Sequence, residues 1–433
     1  MRLESKGLPL CPERLPEPSP RKGYAKTLDL EIRVLNYLAG GGVEPKAPDR
    51  VTAVRGSSVR GHLRFWWRAT RGGGFATYGE LFKEESRIWG NTEKGSPVVI
   101  AVSRVGAGQR AGDEVNRQEL NLVYFGFQDH REEILKALRF QLRVDFPEDL
   151  RDEVETALKA WLNFGGLGSR TRRGSGALYC REFAPSGMVG LEKWWADLQM
   201  NCSLPTGSAK PWPTLPRTLW AGKTPTAPEA TWLTLLQHYR DFRQKSGFAR
   251  GVKPNGREGR SHWPEADSLR AQYRIATPGH GSSTTLLPSA TPPGFPRAAL
   301  GLPIVFHFPL KKGLPPHPQD AELNGTLTPA GKEHERMGSP LILRPLVFPE
   351  GQSIKAVPIL LALATERPVA LKYTRAHEDW KIPVHPDPVE RPDLATYRGS
   401  PMARLSPNGD AVQAAIGYLK NHLQLREMPG GKP

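Results

Sequence analysis

The chain has 433 residues, enough for two or three domains, and 38% of them are apolar, enough for a packed core. Lys and Arg number 60 against 44 Asp and Glu, a net charge of +16 that is common among nucleic-acid-binding proteins and also occurs in basic proteins without such a partner. No run approaches the roughly 18–20 apolar residues that a membrane-spanning helix needs, so no membrane partner is expected.

Residues 1–23 read as a proline-rich tail, and MRLESKGLPLCPERLPEPSP lacks the apolar core of a secretion signal. Cys11, Cys180 and Cys202 are scattered with no CxxC, which argues against a structural zinc or a disulfide framework and fits a reducing cytoplasm. Leu28, Leu30, Ile32 and Val34 alternate as a half-buried strand does, and Gly40-Gly41-Gly42 follows as a loop. Ser57 or Ser58 then caps a helix whose apolar stripe is Val59, Leu63, Trp66, Trp67 and Thr70. Strands are expected over Val98–Val102, Leu120–Phe127 and Leu138–Phe146, the last alternating at Phe140, Leu142, Val144 and Phe146. Residues 149–163 form a helix with Leu150, Val154, Ala157, Leu158 and Trp161 on one face, and Ala177–Phe183 is a closing strand. Allowing one extra strand, residues 24–190 spell β-α-β-β-α-β, the ferredoxin-like (RRM-like) order.

Residues 191–230 read as a linker or insertion, with 203–228 rich in Pro, Gly, Ser and Thr, and 253–300 as long loops. Within 231–433, a helix is expected over Thr231–Lys245, and strands over Leu302–Phe308, Pro340–Phe348 and Ile354–Ala364. Asp410–Leu425 forms an amphipathic helix through Val412, Ala415, Ile416, Leu419 and Leu423. The fold class is therefore α+β, with a second domain of similar kind whose topology the pattern leaves open. Trp66 with Trp67, Trp194 with Trp195, and Trp212, Trp220 and Trp232 are expected at a subunit interface, the alternative being that they staple loops onto the chain's own core.

Two constellations carry chemistry. In RGSSVRGHLRFWWRATR, residues 55–71, Arg60, Arg64 and Arg68 recur every four residues and Arg71 follows, a basic stripe beside the apolar one. No acidic residue occurs between Asp49 and Glu80, so none nearby in sequence neutralises the stripe. Arg55, Ser57 and Ser58 open the helix, whose N-terminal N–H groups suit phosphate. Gly61 inside the helix points to a close approach of another backbone, protein or RNA. The second constellation is GGLGSRTRRGSGAL, residues 165–178, where Gly165, Gly166, Gly168, Gly174 and Gly176 surround Ser169, Arg170, Arg172 and Arg173. Glycines let successive N–H groups turn toward an anion, and arginines add charge and bidentate bonds. The spacing fits neither a Walker loop nor a dinucleotide fingerprint. The alternatives are a solvated arginine face and a mobile surface loop.

A helix followed by a GGLGxRxRRGxG loop at the end of a ferredoxin-like unit resembles the signature loop of the RAMP superfamily of CRISPR proteins. SSVRGHLRFWWR with GELFKEESRIWG, and then GRSHWPEADSLR (259–270), LGLPIVFHFP (300–309) and ERMGSPLILRPL (335–346), resemble the double-RAMP branch of the type III-B (Cmr) effector. The resemblance implies two ferredoxin-like RAMP domains with long loop insertions, no catalytic role and no cofactor or metal. It implies a place near the 3′ end of the guide RNA, with guide RNA, target RNA and other RAMP subunits as partners. The family's basic motif falls on Arg60, Arg64 and Arg68, and its loop on residues 165–176. Two rival classes stand beside it. One is a RAMP-type, metal-independent endoribonuclease with His62 as general base; His262, Glu265 and Asp267 suggest a metal site, but their spacing matches no ligand template and reads better as a loop clamp. The other is a pure protein scaffold.

Overall fold

The computed structural model describes residues 26–42, 48–49, 52–106, 108–110, 134–244, 249–252, 258–261, 263–272, 294–308, 324–329, 336–366, 371–375, 378–384, 411–428 and 430. The tail, the strand expected over Leu120–Phe127 and His262 lie outside them.

The first unit runs β1 (Lys26–Val34), α1 (Gly56–Arg71), α2 (Tyr78–Trp89), β2 (Val99–Ser103), the short pair β3 (Gln109–Arg110) and β4 (Leu135–Lys136), β5 (Arg139–Phe146), α3 (Arg151–Phe164) and β6 (Leu178–Tyr179). Its sheet has the order β2-β5-β1-β6, every neighbour antiparallel. Alternation in β1 and β5 puts Leu30 opposite Leu142 and Ile32 opposite Phe140, all buried. They share a core with Val59, Leu63, Trp66 and Trp67 of α1 and with Val154, Leu158 and Trp161 of α3.

Two local expectations need correction, and one helix, α2, was not anticipated. Neither Ser57 nor Ser58 caps α1: the helix starts at Gly56, behind an extended Arg55 that makes no side-chain cap. α2 enters through a capping box between Thr77 and Glu80, a T-x-x-E signal present in the sequence. The last strand stops at Tyr179 because the amides of Phe183 and Ala184 both turn back onto the Cys180 carbonyl, at 3.3 and 3.1 Å.

Beyond the first unit come α4 (Leu191–Met200), β7 (Leu219–Ala221), α5 (Pro228–Gln244), the hairpin β8 (Ala249–Val252) and β9 (Glu258–Ser261), and α6 (Glu265–Gln272). β10 (Ile304–Phe306), β11 (Gly325–Pro329), β12 (Leu341–Glu350), β13 (Ser353–Ala362), β14 (Leu371–Arg375), β15 (Glu378–Val384), α7 (Ala411–Leu423) and β16 (Arg426–Met428) complete the described chain. One sheet has the order β12-β13-β7-β16, again antiparallel throughout. In sequence these elements run β7-α5-β12-β13-α7-β16. The second unit therefore repeats the connectivity of the first, strand for strand. A separate sheet, β10-β11-β14-β15, is assembled from the insertions on either side of the β12–β13 hairpin.

The second unit begins before residue 231. β7 sits inside its sheet, and Thr214 and Thr226 bridge to Ala364 and Ala356. The stretch 191–230 is equally ordered at its start, where Trp194 and Trp195 of α4 meet Phe164 edge-on at 5.9 and 5.8 Å.

β12 explains how the units join. Ile342, Leu346 and Phe348 face the core of the first unit, while Leu341 and Leu343 face α5 and α7. A strand covered on both faces reads as a continuous apolar run, as LILRPLVF does. The tryptophans also go inward, contrary to the expected interface role. Trp66, Trp67, Trp194, Trp195, Trp212 and Trp232 are buried, and Trp220 is partly buried beneath Lys420, whose Nζ lies 4.2 Å from the ring. Trp212 reaches across from the proline-rich segment to donate to the Gly72 carbonyl at 3.1 Å. Among the described residues no helix is long and apolar enough to cross a membrane.

Candidate nucleic-acid interface

The apolar stripe of α1 is buried as its spacing requires, and this leaves Arg60, Arg64, Arg68 and Arg71 along the adjoining edge. The stripe is nevertheless not unneutralised. Glu85 of α2, with a side chain 1% exposed, receives Arg64 Nε at 2.5 Å and Arg68 Nη1 at 2.7 Å. Arg71 pairs with Glu153 of α3 at 3.0 Å. The carboxylates arrive from other helices, so no sequence window around α1 contains them. A buried carboxylate needs such partners. Arg64 and Arg68 therefore anchor α2 to α1 while keeping 28% and 30% of their side chains in solvent. Arg55 donates to the Gly41 carbonyl at 2.7 Å, tying the glycine turn at 40–42 to the start of α1. Ser57 is exposed and Ser58 half-buried on the first turn, and the buried Nε of Arg60 finds no acceptor among the described residues. A Cβ at Gly61 would meet nothing within 4 Å, so no other backbone among the described residues makes a close approach there.

His62 does not stand among the arginines as a free base. Its ring stacks on Trp161 at 5.9 Å and 14°, and burial lowers its pKa. Glu265 is buried and pairs with Arg297 Nε at 3.0 Å, while its other oxygen accepts the Arg297 amide at 2.8 Å. Among the described residues no group of three or more His, Cys, Asp or Glu side chains is placed to hold a metal.

The glycine loop, residues 165–176, is a stitched seam. Gly168, Gly174 and Gly176 have φ of +76°, +73° and +62°, and Arg170 joins them at +61°. Its amides do not form the bare anion nest expected from composition. The Ser169 N–H donates to the Ala39 carbonyl at 2.6 Å, Gly176 N–H to Tyr37 at 2.9 Å and Leu167 N–H to Gly176 at 3.0 Å. Asn36 clamps the far end, donating to the Gly174 carbonyl at 2.6 Å and accepting the Ala177 N–H at 3.1 Å. Left-handed glycines let two backbones approach closely enough for this pairing.

The second unit holds the other side of the loop. Trp232 of α5 donates to the Arg173 carbonyl at 2.8 Å. Arg344, fully buried on β12, donates to the carbonyls of Leu162 (3.1 Å), Leu178 (2.9 Å) and Gly165. Arg172 donates to the Ser339 carbonyl at 2.6 Å and lies over the Phe65 ring at 5.1 Å. Arg173 lies over the ring of Tyr239. Burial pulls Arg172 and Arg173 down to about 10 and Arg344 to about 9, so all three remain charged at neutral pH. Sequence reasoning missed Glu85, Tyr239, Arg243 and Arg344. Only Arg344 carried a signal, as the one charge inside a buried strand.

Residues 31–179, which contain the basic helix and the glycine loop, match the sequence profile of the RAMP superfamily. The match lies within the first unit and covers about a third of the chain. A stretch of 134 residues is 28% identical to the CRISPR system Cmr subunit Cmr1-1 of Pyrococcus furiosus. That match covers 29% of this chain and spans only 40% of the relative's length. The crystal structure of Cmr1 from Pyrococcus furiosus in its apo form aligns with a TM-score of 0.48 at 15% identity, over 94% of this chain and 100% of that one. A type III-B Cmr-beta structure bound to cognate target RNA aligns with a TM-score of 0.45 at 12% identity, over 78% of this chain and 95% of that one. Within the matched stretch, the glycine loop is the segment that the second unit grips.

Proposed function

We propose that the chain is a non-catalytic, RNA-binding subunit of a type III-B CRISPR ribonucleoprotein, built from two ferredoxin-like RAMP units. In this reading it sits near the 3′ end of the guide RNA beside other RAMP subunits in the cytoplasm, and helps capture target RNA. The observation that carries the proposal is the glycine loop of the RAMP unit, held rigid at the seam with its arginines gathered there. The repeated connectivity supports a second unit of the same kind, and the +16 charge suits a polyanionic partner. The candidate catalytic groups are already engaged, His62 against Trp161 and Glu265 by Arg297.

The test is a titration of labelled single-stranded RNA with the purified chain at several salt concentrations. Affinity is expected to fall steeply with salt, with log K changing by about 0.7 per log unit of salt for each phosphate engaged. The RNA is expected to remain intact with and without Mg²⁺ or Mn²⁺. A flat salt response, or cleavage abolished by His62→Ala, contradicts the proposal.

A further inference from the structure

The seam gathers positive charge that no carboxylate among the described residues pairs with. Arg173 comes from the glycine loop of the first unit, and Arg243 from the last turn of α5 in the second. Both guanidinium carbons lie 5.8 Å from the centroid of the same Tyr239 ring, and Arg243 Nη1 is 3.4 Å from the Tyr239 hydroxyl. Burial first, and Arg243 second, disfavour the charged form of Arg170; burial, with Arg243 and Arg170 behind it, disfavours that of Arg173, which Tyr239 partly offsets. Among the described residues no carboxylate acts on Arg170 or Arg173.

Apart from Arg60 on α1, the basic residues nearby are compensated or committed. Glu85 takes Arg64 and Arg68, Glu153 takes Arg71, and the Ser339 carbonyl takes Arg172. On α5 itself, Arg240 lies 3.9 Å from Asp241 and donates to Gln237 at 2.9 Å. Arg170, Arg173 and Arg243 are all half-buried, so an incoming group can reach them. Like charges held together at partial burial repel, and the face of one tyrosine offsets only part of that repulsion. A bridging anion removes it and fills the open donors of three guanidinium forks.

We propose that Arg170, Arg173 and Arg243, arranged around Tyr239, form a phosphodiester-binding site that spans the two units, so that bound single-stranded RNA crosses the seam between them. This rests on the RNA-binding reading above and adds to it a site half of which is supplied by α5.

The experiment measures binding of a labelled oligouridine by fluorescence anisotropy across a salt series, for wild type, Arg243→Gln, Arg243→Lys, Arg170→Gln and Arg240→Gln. Arg243→Gln and Arg170→Gln are each expected to raise Kd by about three- to tenfold and to make the salt slope shallower by about 0.7, the signature of one lost phosphate contact on a single strand. Arg243→Lys is expected to keep the slope, and Arg240→Gln to match wild type in both quantities. Melting temperatures identify any variant whose fold is lost, and Arg170 and Arg243 report the same site from separate units. Wild-type binding with a steep slope, left unchanged by both glutamine variants, overturns the seam site alone. A wild-type chain that does not bind overturns the RNA-binding reading and the site with it.

Discussion

Replacing Arg344 with methionine is expected to cost the fold about 2–4 kcal/mol. The side chain donates to three backbone carbonyls: Leu162 near the end of α3, Gly165 at the start of the glycine loop and Leu178 in β6. Hydrogen bonds from a charged donor contribute about 1.5–3 kcal/mol each, and the carbonyls would be left buried without them. Against that stands the desolvation of the guanidinium, several kcal/mol, which methionine no longer incurs. The carbonyls win because they belong to backbone that cannot move to water without opening the seam. The melting temperature should fall by about 2–4 °C. Arg344→Lys should recover only part of it, since a single ammonium does not reproduce the fork. A methionine variant that melts with wild type would show that the arginine is not what joins β12 to the loop.

Gly168→Val is expected to destabilise the protein by about 3 kcal/mol and to weaken RNA binding as a consequence. At φ +76° a β-branched residue is strained. Its Cβ would also collide with the Ala39 carbonyl, which is fixed by the Ser169 N–H at 2.6 Å. A bare anion nest, as the composition suggested, would instead let valine leave the fold intact and impair only binding. The hydrogen bonds between residues 36–39 and 167–177 make the glycine structural first. A thermal melt decides between them: an unchanged midpoint with weakened binding would restore the nest, and a lowered midpoint supports the seam.

What was legible in the sequence was what repeats with a short period. β1 and β5 alternate over eight or nine residues, α1 and α3 carry apolar stripes, and the five glycines around three arginines mark the loop. Strands of two or three residues, such as β6, β7 and β16, have no period to detect, and each unit closes its sheet on one of them. That is why the second unit showed its helices and its β12–β13 hairpin but not its order.

The candidate site was half legible for a related reason. Charges adjacent in sequence were visible, but their partners were not. Glu85 reaches the α1 arginines from a different helix, and Arg243 joins Arg173 from 70 positions along the chain, so the uncompensated charge had to be located in space. The tryptophans of the proline-rich segment looked exposed because irregular backbone gives no inward face to predict. Trp212 and Trp232 find one by donating to carbonyls of the first unit.

The most direct test of the proposed role is reconstitution of the type III-B ribonucleoprotein with guide RNA, with and without this chain, followed by measurement of target-RNA capture. The expected result is that the remaining subunits still assemble on the guide and cleave whatever target they hold, while capture of target from solution is lost and is restored by adding the chain back. Normal capture without the chain, or collapse of the whole assembly, would contradict a capture role near the 3′ end of the guide.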